Sequence, residues 1–311
     1  MGQETLMDKE NRLMGPALNK RWGAEQRLEF IEFTAYWDGG INRVSITEQF
    51  GVSPQQASTD LAEYQRIAPE NLRYDLSSKR YVATSNFACR LIQPDANRYL
   101  RKLTALTTHS IDPGETWLNS ELMADVIPTP SRRVDPDVLR AVLQAIRLKK
   151  SLEIEYQSLN SPNPEPVWRR ITPHAFGSDG FRWHIRAFCH RDSRFKDFLL
   201  SRCCGTRDEG EAAAEPDSDT MWLTYFHAEL VPNPRLSESQ KHAIERDYAM
   251  REGRAILSIR YALLYYFNKR LRADFAPSSP DGDRPDPRES PVVISNLTDY
   301  EEALASTNPA H

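Results

Sequence analysis

The chain has 311 residues, of which 40% are hydrophobic and 27% charged, with a formal net charge of −4. That length predicts two or three domains, and the globular composition excludes a disordered chain. No apolar stretch approaches the roughly 20 residues that span a bilayer, and the polar start MGQETLMDKENRLMG lacks the apolar centre of a secretory signal, so no membrane partner is expected.

Residues 1–22 carry little periodicity and are expected to be a polar arm. Over residues 26–37, Leu28, Phe30, Ile31 and Phe33 recur at helical spacing, and Asp38-Gly39-Gly40 ends the helix. A short helix follows over residues 45–50, with Ser45 as its cap and Glu48 completing a capping box. Gly51 makes the turn, and Ser53-Pro54 opens a third helix, Ser as cap and Pro at its first position. Leu72, Tyr74 and Leu76 then alternate, Ser77-Ser78-Lys79 turns, and Tyr81 and Val82 return, which predicts a β-hairpin. This is the layout of a winged helix-turn-helix over residues 23–86.

Residues 94–123 are again helical in pattern, broken at Asp112-Pro113-Gly114, and 87–134 is expected to be a helical linker closed by Pro128 and Pro130. Asp135-Pro136 caps a helix with the stripe Val138, Leu139, Val142, Leu143 and Ile146. Short strands follow at 152–156, 167–171, 181–188 and 198–203, with turns at Asn160-Ser161-Pro162, Asp179-Gly180 and Asp192-Ser193. Such spacing predicts a small β-barrel over 135–206. The acidic RDEGEAAAEPDSD of residues 207–219 is expected to be a linker, and 281–289 an exposed loop. Strand, helix, strand and helix at 221–230, 237–248, 255–261 and 263–273 predict an α+β domain over 220–275, leaving 276–311 as a tail. The cysteines Cys89, Cys189, Cys203 and Cys204 form no CxxC pair; reduced thiols in a cytoplasmic protein are the expectation.

The net acidity does not exclude nucleic acid, because only the docking face must be positive. The third helix would enter a major groove with Gln55, Gln56, Ser58, Thr59 and Arg66 outward. Amides pair with the edge of adenine, and hydroxyls bond bases or phosphates. Ser53 opens a helix whose first N–H groups suit a phosphate. The hairpin offers Arg73, Lys79 and Arg80 to the DNA backbone. A polar face that binds protein is the alternative, and the basic hairpin argues against it.

The segment FRWHIRAFCHRDSRFKDFLLSRC, beginning at Phe181, resembles the WYL domain, named for a Trp-Tyr-Leu triplet whose place Trp183-His184-Ile185 takes. Phe188-Cys189-His190, a charged turn and a strand ending in Ser201-Arg202 follow as in that family, and SLEIEYQS with Tyr156 and RRITPHAF precede it. His184 replaces the family's Tyr, Ser201 its usual Asp, and Leu199 stands where Arg is common. VSPQQASTDLAEYQ with NLRYDLSSKRYVAT, and RDYAMREG with IRYALLYY, resemble one branch of the family, and the likeness covers most of residues 24–275. That branch comprises dimeric repressors encoded beside bacterial phage-defence systems such as BREX and CBASS islands. The resemblance implies a multidomain α+β protein: a winged helix-turn-helix, a central Sm/SH3-like β-barrel sensor and a C-terminal α+β dimerisation domain.

The residues support a sensor beside the resemblance. His184, Arg186 and Phe188 would share one strand face. With Tyr156, Arg169, Arg170, Arg194, Ser201 and Arg202 they give a basic, aromatic surface suited to a nucleic-acid or nucleotide effector that relieves repression. An activator of the same architecture is one alternative. A nucleic-acid-processing enzyme is another, but the chain has no GxSxG, HExxH or Gly-rich phosphate loop, so no catalytic residue, metal or cofactor is expected. A homodimer on an inverted-repeat operator in double-stranded DNA is expected, because two linked winged helices read two half-sites. Tyr261, Leu263, Leu264, Tyr265, Tyr266 and Phe267 are its expected interface.

Overall fold

A computed structural model describes residues 16–119, 122–159, 165–275 and 286–307. The chain divides into two compact units, Met1–Pro128 and Thr129–His311.

In the first unit, helix α1 (Pro16–Asp38) begins earlier than its apolar periodicity indicated, so only residues 1–15 of the expected arm lie outside the described residues. Strand β1 (Gly40–Ile41) leads to α2 (Arg43–Phe50). Its cap is Asn42, whose Oδ1 accepts from the Ser45 N–H at 2.9 Å, not the expected Ser45. Asn caps as well as Ser does, and Asn42 directly follows Ile41, which is paired with Tyr81, so the chain can turn helical there first. Gly51 has φ 62°, a left-handed conformation that glycine adopts without strain, and its N–H closes α2 on Thr47. Helix α3 (Pro54–Ile67) starts as expected, with Ser53 Oγ accepting from the Gln56 N–H at 3.2 Å. Strands β2 (Leu72–Asp75) and β3 (Arg80–Ala83) form the hairpin, and β1 joins it in the order β1-β3-β2.

Ile31, Ile41, Ile46, Ala57, Leu61 and Tyr64 fill the core of this unit. The core does not end at residue 86. The buried Glu32 carboxylate accepts from the N–H groups of Arg90, Leu91 and Ile92 at 2.7–2.8 Å and from the Tyr64 hydroxyl at 3.0 Å. Helix α4 (Ala96–Thr107) follows, but the expected helical pattern to residue 123 gives only a 3-10 turn at Pro113–Glu115. Trp117 explains the break: its ring packs on Phe30 at 5.8 Å and Phe33 at 5.7 Å, which pins the chain against α1 instead of letting it coil. Much of the expected linker is therefore part of this unit's core.

In the second unit, α5 (Pro136–Leu148) is capped by Asp135 and buries Val138, Val142 and Ala145. They pack on a five-stranded antiparallel sheet of β4 (Lys150–Tyr156), β5 (Val167–Ser178), β6 (Trp183–Cys189), β7 (Arg194–Leu199) and β8 (Cys203–Glu211), in the order β7-β6-β5-β4-β8. Among the described residues the strands pair in this open order, which does not by itself show the expected small Sm/SH3-like barrel. The edge strands β7 and β8 are joined by one 3-10 turn, Leu200–Arg202, so the sheet must curl to bring its edges within that short reach. The turn expected at Asn160-Ser161-Pro162 lies outside the described residues. The first part of the acidic segment is strand β8 and not linker: Lys150 Nζ meets Glu211 at 2.5 Å and Arg207 Nε meets Glu153 at 2.8 Å, so opposite charges across the ladder offset the acidity.

Beyond it come α6 (Thr220–Leu223), β9 (Tyr225–Pro232), α7 (Glu238–Asp247), β10 (Ala255–Arg260), α8 (Tyr261–Phe275), β11 (Val292–Ile294) and α9 (Leu297–Thr307). The sheet order is β10-β9-β11. The expected tail is thus part of the fold: Val292, Ile294, Tyr300 and Ala303 share a core with Phe226, Ala228, Leu230 and Leu264. The loop expected at 281–289 is described only from residue 286. Helix α8 is apolar on two sides because it packs on two sheets. Leu264 enters the C-terminal core, whereas Leu263 packs on Gly177 of β5, where a Cβ would come within 2.8 Å of Leu263 Cδ2. Tyr266 stacks near His184 at 4.4 Å. These side chains, expected at a dimer interface, are used within the protomer. No helix among the described residues is long and apolar enough to cross a membrane.

Candidate functional site

In the first unit, Ser53, Gln55, Gln56, Thr59 and Arg66 are exposed along α3, and Ser58 is half-buried beside them. Ala57, Leu61 and Tyr64 fix the opposite face in the core. The Ser58 and Thr59 hydroxyls donate back to the Pro54 and Gln55 carbonyls at 2.9 and 3.0 Å, leaving acceptor lone pairs outward. Arg66 pairs with Glu63 at 2.7 Å, a fully exposed contact worth little in water. On the hairpin, Arg73 and Lys79 are exposed, and Lys79 takes φ 50° at the tip. Asp75 shapes the turn by accepting from Ser78 and Ser77, which hold its carboxyl down at about 2. Arg80 does not join Arg73 and Lys79: its Nη2 donates to the Asp38 carbonyl at 3.2 Å, at the C-terminal end of α1. Sequence reasoning missed Arg43, exposed at the first residue of α2 and 3.5 Å from Ser58 Oγ; a cation just after a capping Asn was the available signal.

In the second unit, the nine residues expected to bind an effector separate. Tyr156, His184 and Arg202 converge. The Tyr156 hydroxyl accepts from the Leu199 N–H at 3.2 Å, and the charge of Arg202 acts on both Tyr156 and His184. Ser201 lies beside Arg202 in the 3-10 turn. His184 is buried, its Nε2 without a hydrogen bond among the described residues and 3.9 Å from Asp179 Oδ2. Burial, with help from Arg182, lowers its pKa to about 4, so the ring is neutral at pH 7. Tyr266 of α8 covers this ring, and burial, with the neighbouring Asp197, pushes its hydroxyl well above the usual range.

Arg186 is not available to a ligand. Its guanidinium lies buried with Nε 2.7 Å from Asp219 Oδ2, Nη2 2.9 Å from Asp219 Oδ1 and Nη1 3.3 Å from Asp197 Oδ1. The chain of contacts continues from Asp219 to His174 Nε2 at 3.0 Å and from Asp197 to the Tyr266 hydroxyl at 3.2 Å. Burial raises the Asp219 pKa, but the bonds from His174 and Arg186 outweigh it and bring it to about 2. Burial raises Asp197. This network ties the five-stranded sheet to α6 and α8 of the C-terminal part, and neither Asp197 nor Asp219 was singled out from sequence. Asp219 lay in the supposed linker, where a carboxylate suggests solvent.

The other expected residues lie apart. Arg169 is buried, with Asp192 3.8 Å from its Nη1. Arg170 contacts Ser151, the Asp208 carbonyl and Glu153 on β4 and β8. Phe188 packs on Phe195 at 5.3 Å, and Arg194 is exposed at the start of β7.

Three family models match successive parts of the chain. Residues 23–105 match the BrxR transcriptional regulator winged helix-turn-helix domain, 137–203 the WYL domain, and 226–300 the BrxR transcriptional regulator C-terminal dimerization domain. The DNA-binding transcriptional repressor CapW of Escherichia coli (strain KTE188) is 39% identical over 246 residues, 79% of this chain and 82% of that protein. CapW of Pseudomonas aeruginosa is 38% identical over 265 residues, 84% of this chain and 87% of its own length. CapW of Stenotrophomonas maltophilia is 35% identical over 283 residues, 91% and 92%. Among solved structures, proteasome accessory factor B/C of Arthrobacter aurescens aligns over 90% of this chain and 45% of that one at 15% identity. Its TM-score of 0.29 carries no information on how the domains are arranged. From these matches and the three folded parts in the same order, the chain belongs to the WYL-domain transcriptional regulators of the BrxR and CapW type.

Proposed function

We propose that this protein is a DNA-binding transcriptional repressor that acts as a homodimer on an inverted-repeat operator. The observation that carries the proposal is the polar outer face of α3 beside a hairpin with Arg73 and Lys79 outward, in a chain 39% identical to a DNA-binding transcriptional repressor. Gln55, Gln56, Ser58 and Thr59 read base edges. The N–H groups opening α3 at Ser53, with Arg43, Arg66, Arg73 and Lys79, meet phosphate. Arg80 shapes the hairpin base. The C-terminal domain joins two copies, so that half-site spacing depends on how they are held.

The effector site is Tyr156, His184, Ser201 and Arg202, with a nucleic-acid fragment or nucleotide as ligand and a phage-defence operon as the regulated target. An Arg near a neutral, stackable ring suits a phosphate next to a base. Because Tyr266 of the C-terminal domain lies on His184, a ligand there competes with or repositions α8. It lowers operator affinity only by its difference in affinity for the two arrangements. A reporter driven by the protein's own upstream region tests this during phage infection. Wild type should release the promoter, while His184→Ala and Arg202→Ala should keep it off. Constitutive expression from either variant would make the site a structural joint and would end the effector claim.

A further inference from the structure

We infer that Asp60 and Arg27, which do not face the groove, set base discrimination by holding the Gln56 amide in one orientation. The inference rests on the reading that α3 enters the major groove. Gln56 and Asp60 are one turn apart on α3, and Gln56 Nε2 donates to Asp60 Oδ1 at 2.9 Å. A carboxylate only accepts, so this bond fixes which end of the amide points inward: Nε2 toward Asp60, Oε1 outward. Asp60 itself is immobilised. It is 4% exposed, and Arg27 of α1 grips it with Nε on Oδ2 at 2.6 Å and Nη2 on Oδ1 at 3.2 Å, a two-point fork of the geometry Arg supplies and Lys does not. The Gln56 backbone is held as well, by Ser53 Oγ on its N–H.

This arrangement has consequences for what is read. Exposed glutamine side chains sample many rotamers, and a residue ordered before binding loses less on contact. The outward Oε1 needs a donor, which in the major groove is the exocyclic amino group of adenine or cytosine. The second amide hydrogen remains, and adenine alone offers an acceptor next to its amino group in the pattern an amide matches. Ser58 and Thr59, whose hydroxyl protons are spent on carbonyls, add acceptors on the same face. The surface therefore favours amino-bearing base edges, with adenine opposite Gln56. Asp60 and Arg27 are positioning residues and contact no base themselves.

The test uses the full-length protein and a duplex selected by it from a random library, with binding followed by fluorescence anisotropy. Every base pair of that duplex is varied in turn, and a random duplex measures non-specific affinity. Gln56→Ala should lose discrimination at one base pair per half-site, by roughly tenfold, the order of one good base contact. Asp60→Asn should lose it at the same base pair, with non-specific affinity and salt dependence unchanged. In the Gln56→Ala background it should remove nothing further. Arg27→Lys, which keeps the charge but not the fork, is the second variant should Asp60→Asn not fold, and should show the same selective loss to a smaller degree. A uniform loss on all duplexes, or a loss that adds to that of Gln56→Ala, would overturn the inference and make the pair a structural clamp. Normal discrimination in Asp60→Asn would overturn it too. Wild-type protein that enriches no sequence from the library would instead refute DNA reading itself.

Discussion

Replacing Arg186 separates a structural tie from a ligand contact. Arg186 is 4% exposed and shared by two carboxylates, with Asp219 at 2.7 and 2.9 Å and Asp197 at 3.3 Å. Arg186→Ala leaves both acids buried near one another without their cation. Removing one partner of a buried pair costs about 3–5 kcal/mol. Proton uptake by Asp197, already raised by burial, and the bond from His174 to Asp219 hold the loss toward the lower end of that range. For a folded unit of this size each kcal/mol lowers the melting temperature by roughly 2–4 °C, so a loss of about 3 kcal/mol should lower it by about 6–12 °C. Calorimetry on the full chain should show it in the transition of the unit Thr129–His311, with that of Met1–Pro128 unmoved. Arg202→Ala, which breaks no such buried pair, should stay within about 0.5 kcal/mol of wild type. If Arg186→Ala melted like wild type and lost only its response to an effector, Arg186 would be a ligand contact and the assignment of the network would be wrong.

Three further outcomes follow from the geometry. Glu32→Ala should destabilise the N-terminal unit by about 2–4 kcal/mol in urea unfolding, because three N–H groups and the Tyr64 hydroxyl lose their acceptor; a change below about 0.5 kcal/mol would contradict this. His184 stands at about 4 in the fold against 6.5 when free, so only the unfolded chain is protonated between those values. Stability should therefore fall as pH drops from 6.5 to 4, by up to about 3 kcal/mol. Asp219, at about 2, titrates below that window, and Asp197, raised by burial, works in the opposite direction. His184→Phe should flatten the fall, and an unchanged slope would locate the effect elsewhere. Arg73→Ala and Lys79→Ala should each weaken binding to all duplexes alike and flatten the salt slope by about one unit; variants that bind like wild type would remove the hairpin from the interface.

The sequence revealed elements whose signals are local. Ser53-Pro54 announced α3, the alternation at Leu72, Tyr74, Tyr81 and Val82 announced the hairpin, and the stripe from Val138 to Ile146 announced α5. What it concealed depended on partners far along the chain. Strand β8 looked like a linker because its charges find their partners across the ladder on β4, Glu211 with Lys150 and Arg207 with Glu153. Asp219 looked solvated because nothing nearby in sequence indicates Arg186. The apolar run from Tyr261 to Phe267 looked like an interface because one-dimensional patterning does not show that α8 lies between two sheets. Arg186 and His184 sit on one strand face, as period-2 spacing required, but the cover on that face comes from α6 and α8. Gln56 was legible as a base reader; its fixed orientation was not, since Asp60 appears in sequence as an ordinary polar helix position.

If two copies of this chain read an inverted repeat through α3, hydroxyl-radical footprinting of the purified protein on the DNA upstream of its own gene should reveal the symmetry of the complex. Two protected half-sites related by a dyad, with centres about 10–10.5 base pairs or a multiple of that apart, are expected, and Gln55→Ala/Gln56→Ala should lose the protection with the fold intact. Protection without symmetry, or a footprint unchanged in that double variant, would contradict that reading.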